Sequence, residues 1–198
     1  MSDDVDDAKR ALRAELRERR QLLSETQRAA AATGVAEQLD ALITETGARS
    51  ISCYLSMTTE PPTREFLAAA VQRGIRVLLP VTRVDGLLDW AVTDDTTEVA
   101  AGELGFDEPV GELLGPIAVD EVDLMIIPAA AIDKTGMRLG WGRGYFDKTL
   151  GSMQKRPPVY ALVYDSEVLE SVPRDLHDQP VDGIVTPTQT LTLQTEQR

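Results

Sequence analysis

The residues best suited to chemistry lie in one glycine-rich stretch, residues 136–147. Three of its glycines alternate at positions 140, 142 and 144, and positive φ angles there would let a ligand approach the backbone closely. Arg138 and Arg143 add fixed positive charge, and Asp147 follows where a carboxylate can hold a divalent metal beside a phosphate. An apolar run, residues 122–128, precedes the stretch and predicts a buried strand, while residues 145–150 can open a helix. Because backbone N–H groups at such a junction bind anions, the stretch predicts a nucleotide-phosphate site.

The glycine stretch differs from the two common phosphate-binding loops. No Gly-Lys-Ser/Thr closes it, which separates it from the Walker A motif, and its Gly-x-Gly-x-Gly spacing is not the dinucleotide fingerprint. Alternating glycines by themselves also fit a flexible turn with solvated arginines. The arginines, aromatic residues and acid within the same twelve residues favour the phosphate site over that turn.

A basic helix is predicted near the start of the chain, over residues 5–23, with leucines at helical spacing. Lys9, Arg13 and Arg17 are spaced i, i+4 and i+8, so they share one face. One interpretation is an exposed face whose charges pair with Glu15 and Glu18. The other is that Lys9 and Arg13 reach phosphates bound at the glycine stretch.

Charge and cysteine content limit the partners and the compartment. The 198 residues carry a formal net charge of −13, so nucleic acid and anionic membranes are poor partners for the surface as a whole. A single cysteine, Cys53, lies in an apolar run and cannot form an internal disulfide, which fits a reducing compartment. No stretch approaches the roughly 20 apolar residues that span a bilayer, and residues 1–4 lack a signal-peptide core. We therefore expect a cytoplasmic protein.

Alternating helices and strands predict an α/β fold with a mostly parallel sheet covered on both faces, in a single domain over residues 1–198. Ser24 and Gln27 form a capping-box pattern that opens a second helix, which ends before Gly47. A turn with a short helix is expected at residues 93–102, a turn at 105–109, and a loose tail from residue 189. The remaining predicted elements are a helix at 63–72 and strands at 51–55, 75–81, 87–92, 158–163 and 183–186.

Glu60 and His177 can each be interpreted in two ways. Glu60 follows the predicted strand 51–55, at the sheet end where open parallel sheets bind ligands. It is either a surface charge or an acceptor for a substrate's amino groups. His177, the single histidine, is either a general base or a hydrogen-bonded structural residue, and the absence of an obvious Ser or Cys nucleophile favours the structural role.

The glycine stretch resembles the signature of the 5-formyltetrahydrofolate cyclo-ligase family, also called methenyltetrahydrofolate synthetases. The matching residues are Arg138-Leu139-Gly140-x-Gly142-x-Gly144-Tyr145-x-Asp147. Four weaker motifs resemble the family in the family's order, and the resemblance covers most of the chain. They are Lys9-Arg10-x-Leu12-Arg13, Tyr54-Leu55-Ser56-Met57 followed by Glu60, Gly105-Phe106-Asp107-Glu108-Pro109, and His177-Asp178-x-x-Val181-Asp182.

The resemblance implies a three-layer α/β fold and an enzyme with ATP, Mg²⁺ and a reduced folate as its ligands. It implies that the folate contacts Leu55, Glu60 and residues 141–145, and that Asp147 and Asp178 contact the metal. The residues that it implies for ATP are Lys9, Arg13, Arg138, Leu139, Gly140, Trp141, Gly142, Arg143, Gly144, Tyr145 and Phe146. Phe146 departs from the family's usual second tyrosine, and Trp141 and Arg143 stand where bacterial members often have Tyr and Gly.

The implied reaction uses ATP to cyclise 5-formyltetrahydrofolate to 5,10-methenyltetrahydrofolate, and it needs no covalent nucleophile. Arg143 and Arg138 are expected to stabilise the phosphate, and Tyr145 to orient the formyl group. Two other functions use similar residues: a nucleotide or phosphosugar sensor without catalysis, and a small-molecule kinase with His177 or Asp178 as its base. A monomer with no nucleic-acid or membrane partner is expected.

Overall fold

The computed structural model describes residues 2–94, 98–101, 107–110, 112–176 and 178–193. Within these ranges lie four α-helices: α1 (Ser2–Gln21), α2 (Glu25–Thr46), α3 (Arg64–Gln72) and α4 (Tyr145–Ser152). Two 3₁₀-helices span Pro116–Glu121 and Asp165–Glu167. The strands are β1 (Ser50–Ser52), β2 (Arg76–Thr82), β3 (Leu88–Thr93), β4 (Glu98–Ala101), β5 (Asp107–Val110), β6 (Leu113–Leu114), β7 (Leu124–Pro128), β8 (Ala131–Asp133), β9 (Arg138–Leu139), β10 (Val159–Leu162), β11 (Val168–Leu169), β12 (Gly183–Val185) and β13 (Thr190–Thr192).

The main sheet has the order β13-β12-β10-β7-β1-β2-β3-β6. The five strands from β12 to β2 run parallel, and β13, β3 and β6 join the two edges in antiparallel fashion. One apolar cluster packs α2 and α3 against the sheet around Ile51 and Leu124. A second cluster, around Met125 and Ile127, packs α4 and the Pro116–Glu121 helix. The predicted α/β fold with a mostly parallel sheet is confirmed.

Local sequence signals fix the ends of α2. The Ser24 hydroxyl accepts a hydrogen bond from the N–H of Gln27, and the Gln27 side chain accepts one from the N–H of Ser24. Gly47 ends the helix at φ +66°, a left-handed conformation that glycine adopts without a Cβ clash. The predicted capping box and the glycine stop are both confirmed.

Several short elements differ from the sequence-based prediction. Residues 98–101 form strand β4, paired antiparallel with β5, where a turn and a short helix were expected. Strand β5 also takes residues 107–109 of the turn expected at 105–109, whereas residues 95–97 and 102–106 lie outside the described ranges. The tail expected to be loose from residue 189 contains β13, which pairs with β12. Backbone pairing with strands distant in sequence orders these segments, and their own composition carries no such signal.

The sequence suggested that the glycine stretch follows the buried strand β7 directly, and the structure shows that it does not. Strand β8 intervenes and pairs with β9, which belongs to the stretch itself, and β11 completes this three-stranded sheet. Leu16 of α1 packs against this sheet in a third apolar cluster with Ala131, Leu139 and Val172. This small sheet therefore presents the glycine stretch to helix α1. No helix in the described ranges combines the length and the apolar character that a membrane crossing requires.

Candidate active site

A cavity of about 800 Å³ opens at the carboxyl ends of β1, β2 and β7, between α1 and the glycine stretch. Its position is the one that open parallel sheets favour for ligands. Six cationic side chains and three carboxylates line it, so the cavity is positive within a chain of net charge −13. The cations are Lys9, Arg13, Arg17, Arg138, Arg143 and Lys148, and the acids are Glu60, Asp147 and Asp178.

The glycine stretch turns into α4 through two left-handed residues. Gly142 has φ +95° and Gly144 has φ +72°, and Gly144 is the residue that immediately precedes the helix. Gly140 does not share this conformation, so the expectation of three positive φ angles is wrong at that position. A Cβ at Gly140 would instead lie 3.1 Å from the guanidinium of Arg138. The first turn of α4 and the two left-handed glycines leave backbone N–H groups available to an anion.

Helix α1 brings its cations to the glycine stretch. Arg13 donates from Nε to the carbonyl of Gly140 at 2.7 Å, and its guanidinium lies next to Gly142. The ammonium of Lys9 pairs with Asp178 at 2.6 Å in a largely buried contact. Burial lowers the pKa of Arg13, and the charge of Asp178 opposes that effect, so the guanidinium stays protonated. Of the two interpretations of this helix face, the structure favours the one that places Lys9 and Arg13 at the ligand cavity.

The exposed alternative holds for a neighbouring pair on the same helix. Arg19 donates to Glu15 at 2.5 Å, with both side chains about half exposed. The basic segment is thus divided between a solvated face and a cavity face. Arg17 belongs to the cavity face, where its guanidinium lies 5.6 Å from the ring centre of Trp141.

Arg138 and Asp147 form an ion pair that joins the two ends of the glycine stretch. Nη2 of Arg138 donates to Oδ1 of Asp147 at 2.8 Å. The arginine side chain is buried, and burial lowers its pKa against the opposing charges of Asp147 and Asp178. Nε of Arg138 is buried and has no hydrogen-bond partner within the described ranges. A bound anion can supply that partner.

Asp147 and Asp178 have the donor set that Mg²⁺ accepts, namely carboxylate oxygens beside a phosphate site. Within the described residues, the hydrogen bonds to Asp147 fall on Oδ1, and those to Asp178 fall on Oδ2. Each carboxylate therefore keeps its other oxygen for a metal. Because no cluster of three acidic, cysteine or histidine side chains occurs in the described ranges, a metal here needs phosphate or water as further ligands.

Asp182, which follows Asp178 in the last of the four weaker motifs, contacts the main sheet at the start of β10. Its Oδ2 accepts a hydrogen bond from the N–H of Val159, and Asp182 is not a cavity residue. His177 lies outside the described residues, so its two interpretations stay as they were.

Tyr54, Leu55 and Glu60 line the end of the cavity next to β1. Glu60 accepts a hydrogen bond at Oε2 from the N–H of Met57, which closes the loop after β1. Burial raises the pKa of Glu60, although the bond from Met57 and the charge of Arg20 act against the shift. The hydroxyl of Tyr54 is buried without a hydrogen-bond partner in the described part of the chain, and burial together with Glu60 raises its pKa well above the ordinary value. This end of the cavity therefore offers an acceptor and an unused hydroxyl to a polar heterocycle.

The residues that the resemblance implies for ATP, for the folate and for the metal all line this cavity. Leu139 is buried at its wall, and Arg143 is exposed at its mouth. Tyr145 and Phe146, the first two residues of α4, also pack against the core. The structure adds cavity residues that the sequence-based analysis did not propose as ligand contacts. These are Arg17, Gln21, Tyr54, Met57, Thr59, Leu79, Pro80, Thr82, Leu88, Pro128 and Lys148. The helical spacing of Arg17 could have identified it, whereas the residues of β2 and β3 carry no local signal.

Comparison with known proteins agrees with this geometry. Residues 5–187 match the model of the 5-formyltetrahydrofolate cyclo-ligase family. A 5-formyltetrahydrofolate cyclo-ligase of Mycolicibacterium smegmatis is 35% identical over 144 residues, which is 70% of this chain and 74% of the relative. The enzyme of that name from Haemophilus influenzae is 29% identical over 179 residues, 88% of this chain and 95% of its own.

A solved structure is similar over nearly the whole chain. The 5,10-methenyltetrahydrofolate synthetase of Aquifex aeolicus superposes with a TM-score of 0.79 at 28% identity, covering 96% of this chain and 95% of its own. The residues that match the family model include the whole glycine stretch. The chain therefore belongs to the 5-formyltetrahydrofolate cyclo-ligase family, and it is an enzyme of that family.

Proposed function

We propose that this enzyme uses ATP to convert 5-formyltetrahydrofolate to 5,10-methenyltetrahydrofolate, releasing ADP and phosphate. The observation that carries the proposal is one cavity with a cationic glycine loop at one end and Glu60 at the other. Its volume of about 800 Å³ is in the range of small-molecule sites, whose volumes run from roughly 300 to 1,000 Å³. The two ends suit a polyphosphate and a heterocycle with N–H donors, respectively.

The chemistry explains why ATP is needed. The formamide oxygen is a poor leaving group, so the γ-phosphoryl group is first transferred to it, and the bond to ADP breaks. The nitrogen at position 10 then attacks the activated formyl carbon, the C–N bond of the new ring forms, and this nitrogen releases its proton to solvent. The C–O bond then breaks to release phosphate. The electron pair of the nitrogen at position 5 delocalises the positive charge that the carbon gains as phosphate leaves, which gives the methenyl cation. Both steps need positioning and charge stabilisation more than they need a nucleophile from the protein.

The cations at the glycine stretch would stabilise the transferring phosphoryl group. We assign Arg138 and Arg143 to the charge that develops on its oxygens, and Lys9 and Arg13 to the phosphates of ATP. Asp147 and Asp178 would hold Mg²⁺, which neutralises phosphate charge when it is bound. The wall that would contact the nucleotide consists of Leu139, Gly140, Trp141, Gly142, Gly144, Tyr145 and Phe146.

The folate would occupy the end of the cavity next to β1. Glu60 would accept hydrogen bonds from the amino and ring N–H groups of the pterin, and Leu55 would cover its apolar face. Tyr145 would orient the formyl group, with residues 141–144 beside it. Because Glu60 is the acceptor that a phosphate sensor does not need, it separates the cyclo-ligase from the sensor.

A single assay distinguishes the candidate functions. The protein is mixed with ATP, Mg²⁺ and 5-formyltetrahydrofolate, and the near-ultraviolet absorbance of the methenyl product is followed. The cyclo-ligase gives rising absorbance with stoichiometric ADP. Bound nucleotide without any absorbance change would indicate a sensor. ADP release that occurs only when another phosphoryl acceptor replaces the folate would indicate a kinase.

One substitution tests the proposed catalytic role of Arg143. We expect Arg143→Ala to abolish turnover while the circular dichroism spectrum stays that of the wild type, because the side chain is exposed at the cavity mouth. Near-normal turnover would remove Arg143 from the mechanism. We further propose a cytoplasmic monomer, since the buried free thiol of Cys53 suits a reducing compartment and one chain supplies the whole cavity.

A further inference from the structure

A buried ion pair lies behind the cavity wall. Arg20 donates from Nε to Oε1 of Glu167 at 2.6 Å and from Nη2 to Oε2 at 2.7 Å, a two-pronged contact. Both side chains are almost fully buried, at 2% and 3% exposure. Neither residue lines the cavity, so the pair cannot touch a ligand there.

The ion pair is linked both to the glycine stretch and to the loop that carries Glu60. The guanidinium of Arg20 lies 4.8 Å from the ring centre of Trp141 in the glycine stretch and 5.5 Å from that of Tyr164. The same guanidinium donates to the carbonyl of Ala129, at the end of β7. These contacts fix the indole of Trp141 from behind the cavity.

Tyr164 links the ion pair to the loop that carries Glu60. Oε2 of Glu167 accepts a hydrogen bond from the N–H of Tyr164 at 2.8 Å, which holds that residue in place. The hydroxyl of Tyr164 donates to the backbone carbonyl of Glu60 at 3.1 Å. A continuous set of contacts therefore runs from Trp141 through Arg20, Glu167 and Tyr164 to Glu60.

We infer that Arg20 and Glu167 are positioning residues that set the spacing between Trp141 and the Glu60 loop, and hence between the two substrates. The inference rests on the proposed function, since it assigns these two elements to ATP and folate. A structural role alone is a weak explanation, because a buried ion pair stabilises a fold little better than packed apolar side chains do. A planar guanidinium is specifically suited to stacking on one ring while it binds a carboxylate with two hydrogen bonds.

The decisive variant removes both charges together. Arg20→Met/Glu167→Met leaves no unpaired buried charge, although the carbonyl of Ala129 and the N–H of Tyr164 lose their partners. We therefore expect its thermal midpoint to fall by about 5–10 °C. We expect the KM for 5-formyltetrahydrofolate to rise about 10- to 100-fold, with kcat lower as well, because small misplacements of reacting groups cost that much. Arg19→Met removes an exposed pair from the same helix and should leave both constants unchanged.

A folded double variant with wild-type kcat and KM would overturn the inference. Should the double variant not fold, Arg20→Lys takes its place, because it keeps the charge but loses the planar fork. Arg20→Lys with unchanged constants overturns the inference equally, and an increase in KM of about 5-fold or more supports it.

A ligand-free measurement separates this inference from the proposed function. Trp141→Phe identifies the near-ultraviolet circular dichroism band of Trp141, whose indole is held by Arg20. We expect Arg20→Lys and the double variant to lose at least half of that band. A wild-type protein that forms no methenyl product refutes the proposed reaction, while loss of the band would still support the positioning of Trp141. An unchanged band refutes the positioning itself.

Discussion

Nη2 of Arg138 lies 2.8 Å from Oδ1 of Asp147, and this ion pair spans the glycine stretch from strand β9 to the first turn of α4. The arginine side chain is buried and the aspartate is a quarter exposed. Asp147 thus neutralises the charge of Arg138 through Oδ1, and it also lines the cavity. Both the shape of the loop and the proposed metal site depend on this carboxylate.

Asp147→Asn should uncouple these two roles. An amide can still accept a hydrogen bond from Arg138, so we expect a loss of stability of about 1–2 kcal/mol. We expect kcat to fall roughly 100-fold and the Mg²⁺ concentration for half-maximal rate to rise, because the neutral side chain is a poor Mg²⁺ ligand. Initial rates across a Mg²⁺ titration measure both. Asp85→Asn changes an exposed pair with Arg83 and serves as the control; an equal loss in both variants would contradict the assignment.

Gly142→Ala should weaken ATP binding. Its φ of +95° strains any L-residue, and the new methyl group would lie 3.4 Å from the guanidinium carbon of Arg13, where we propose that a phosphate binds. The backbone strain costs about 1–2 kcal/mol, and we expect the KM for ATP to rise at least 10-fold. Gly74→Ala provides the matched control, since its φ is +76°, with no atom within 4 Å of its Cβ. We expect Gly74→Ala to lose similar stability and to keep its KM; a raised KM there as well would attribute the effect to strain alone.

Glu60→Gln should raise the thermal stability of the protein by an amount that depends on pH. Because burial raises the pKa of this carboxyl above its ordinary 4.5, the folded state holds a proton that the unfolded state has already lost. Stability therefore falls as the pH rises from about 4.5 through the raised pKa. We expect Glu60→Gln to melt higher than the wild type at pH 7, with the difference closing toward pH 4. Thermal melts across this range measure it.

The same variant should bind folate poorly. An amide offers one acceptor oxygen where the carboxylate offers two, so we expect the KM for 5-formyltetrahydrofolate to rise about 10- to 100-fold, with the KM for ATP little changed. Equal changes in both KM values would place Glu60 outside the folate end of the cavity.

Cys53 should be inert in the native protein. Burial raises its pKa to about 12, and the thiolate is the reactive form of cysteine. We expect no reaction with an aromatic disulfide reagent at pH 8 until denaturant is added, when one thiol per chain should react. Rapid labelling of the native protein would show that the strand end next to Leu55 opens to solvent.

Much of the fold was predictable because its signals are local. The capping box of Ser24 and Gln27, the glycine stop at residue 47 and the apolar run of β7 each lie within a few consecutive residues. Strand β13 and the hairpin β8–β9 were missed because strands of two or three residues show no alternation. They gain their order from partners elsewhere in the chain.

The candidate site, like the fold, was predictable only where its signals are local in the sequence. The glycine signature and the spacing of Lys9 and Arg13 predicted the family and the face of α1 that meets the cavity. The contact between Arg20 and Glu167 joins residues 147 positions apart, so no spacing rule could reveal it. The contribution of Lys148 and β3 to the cavity also depends on tertiary packing. The individual ligand roles stay predictions.

Helix α1 contributes three of the cavity's six cations, yet it belongs to none of the sheets and packs against the small β8–β9–β11 sheet through Leu16. A polyanion that bridges these cations to the glycine stretch would fasten the helix to the rest of the molecule. Amide hydrogen exchange in α1 should therefore slow on nucleotide binding, whereas α2, which is packed on the main sheet, should exchange at an unchanged rate.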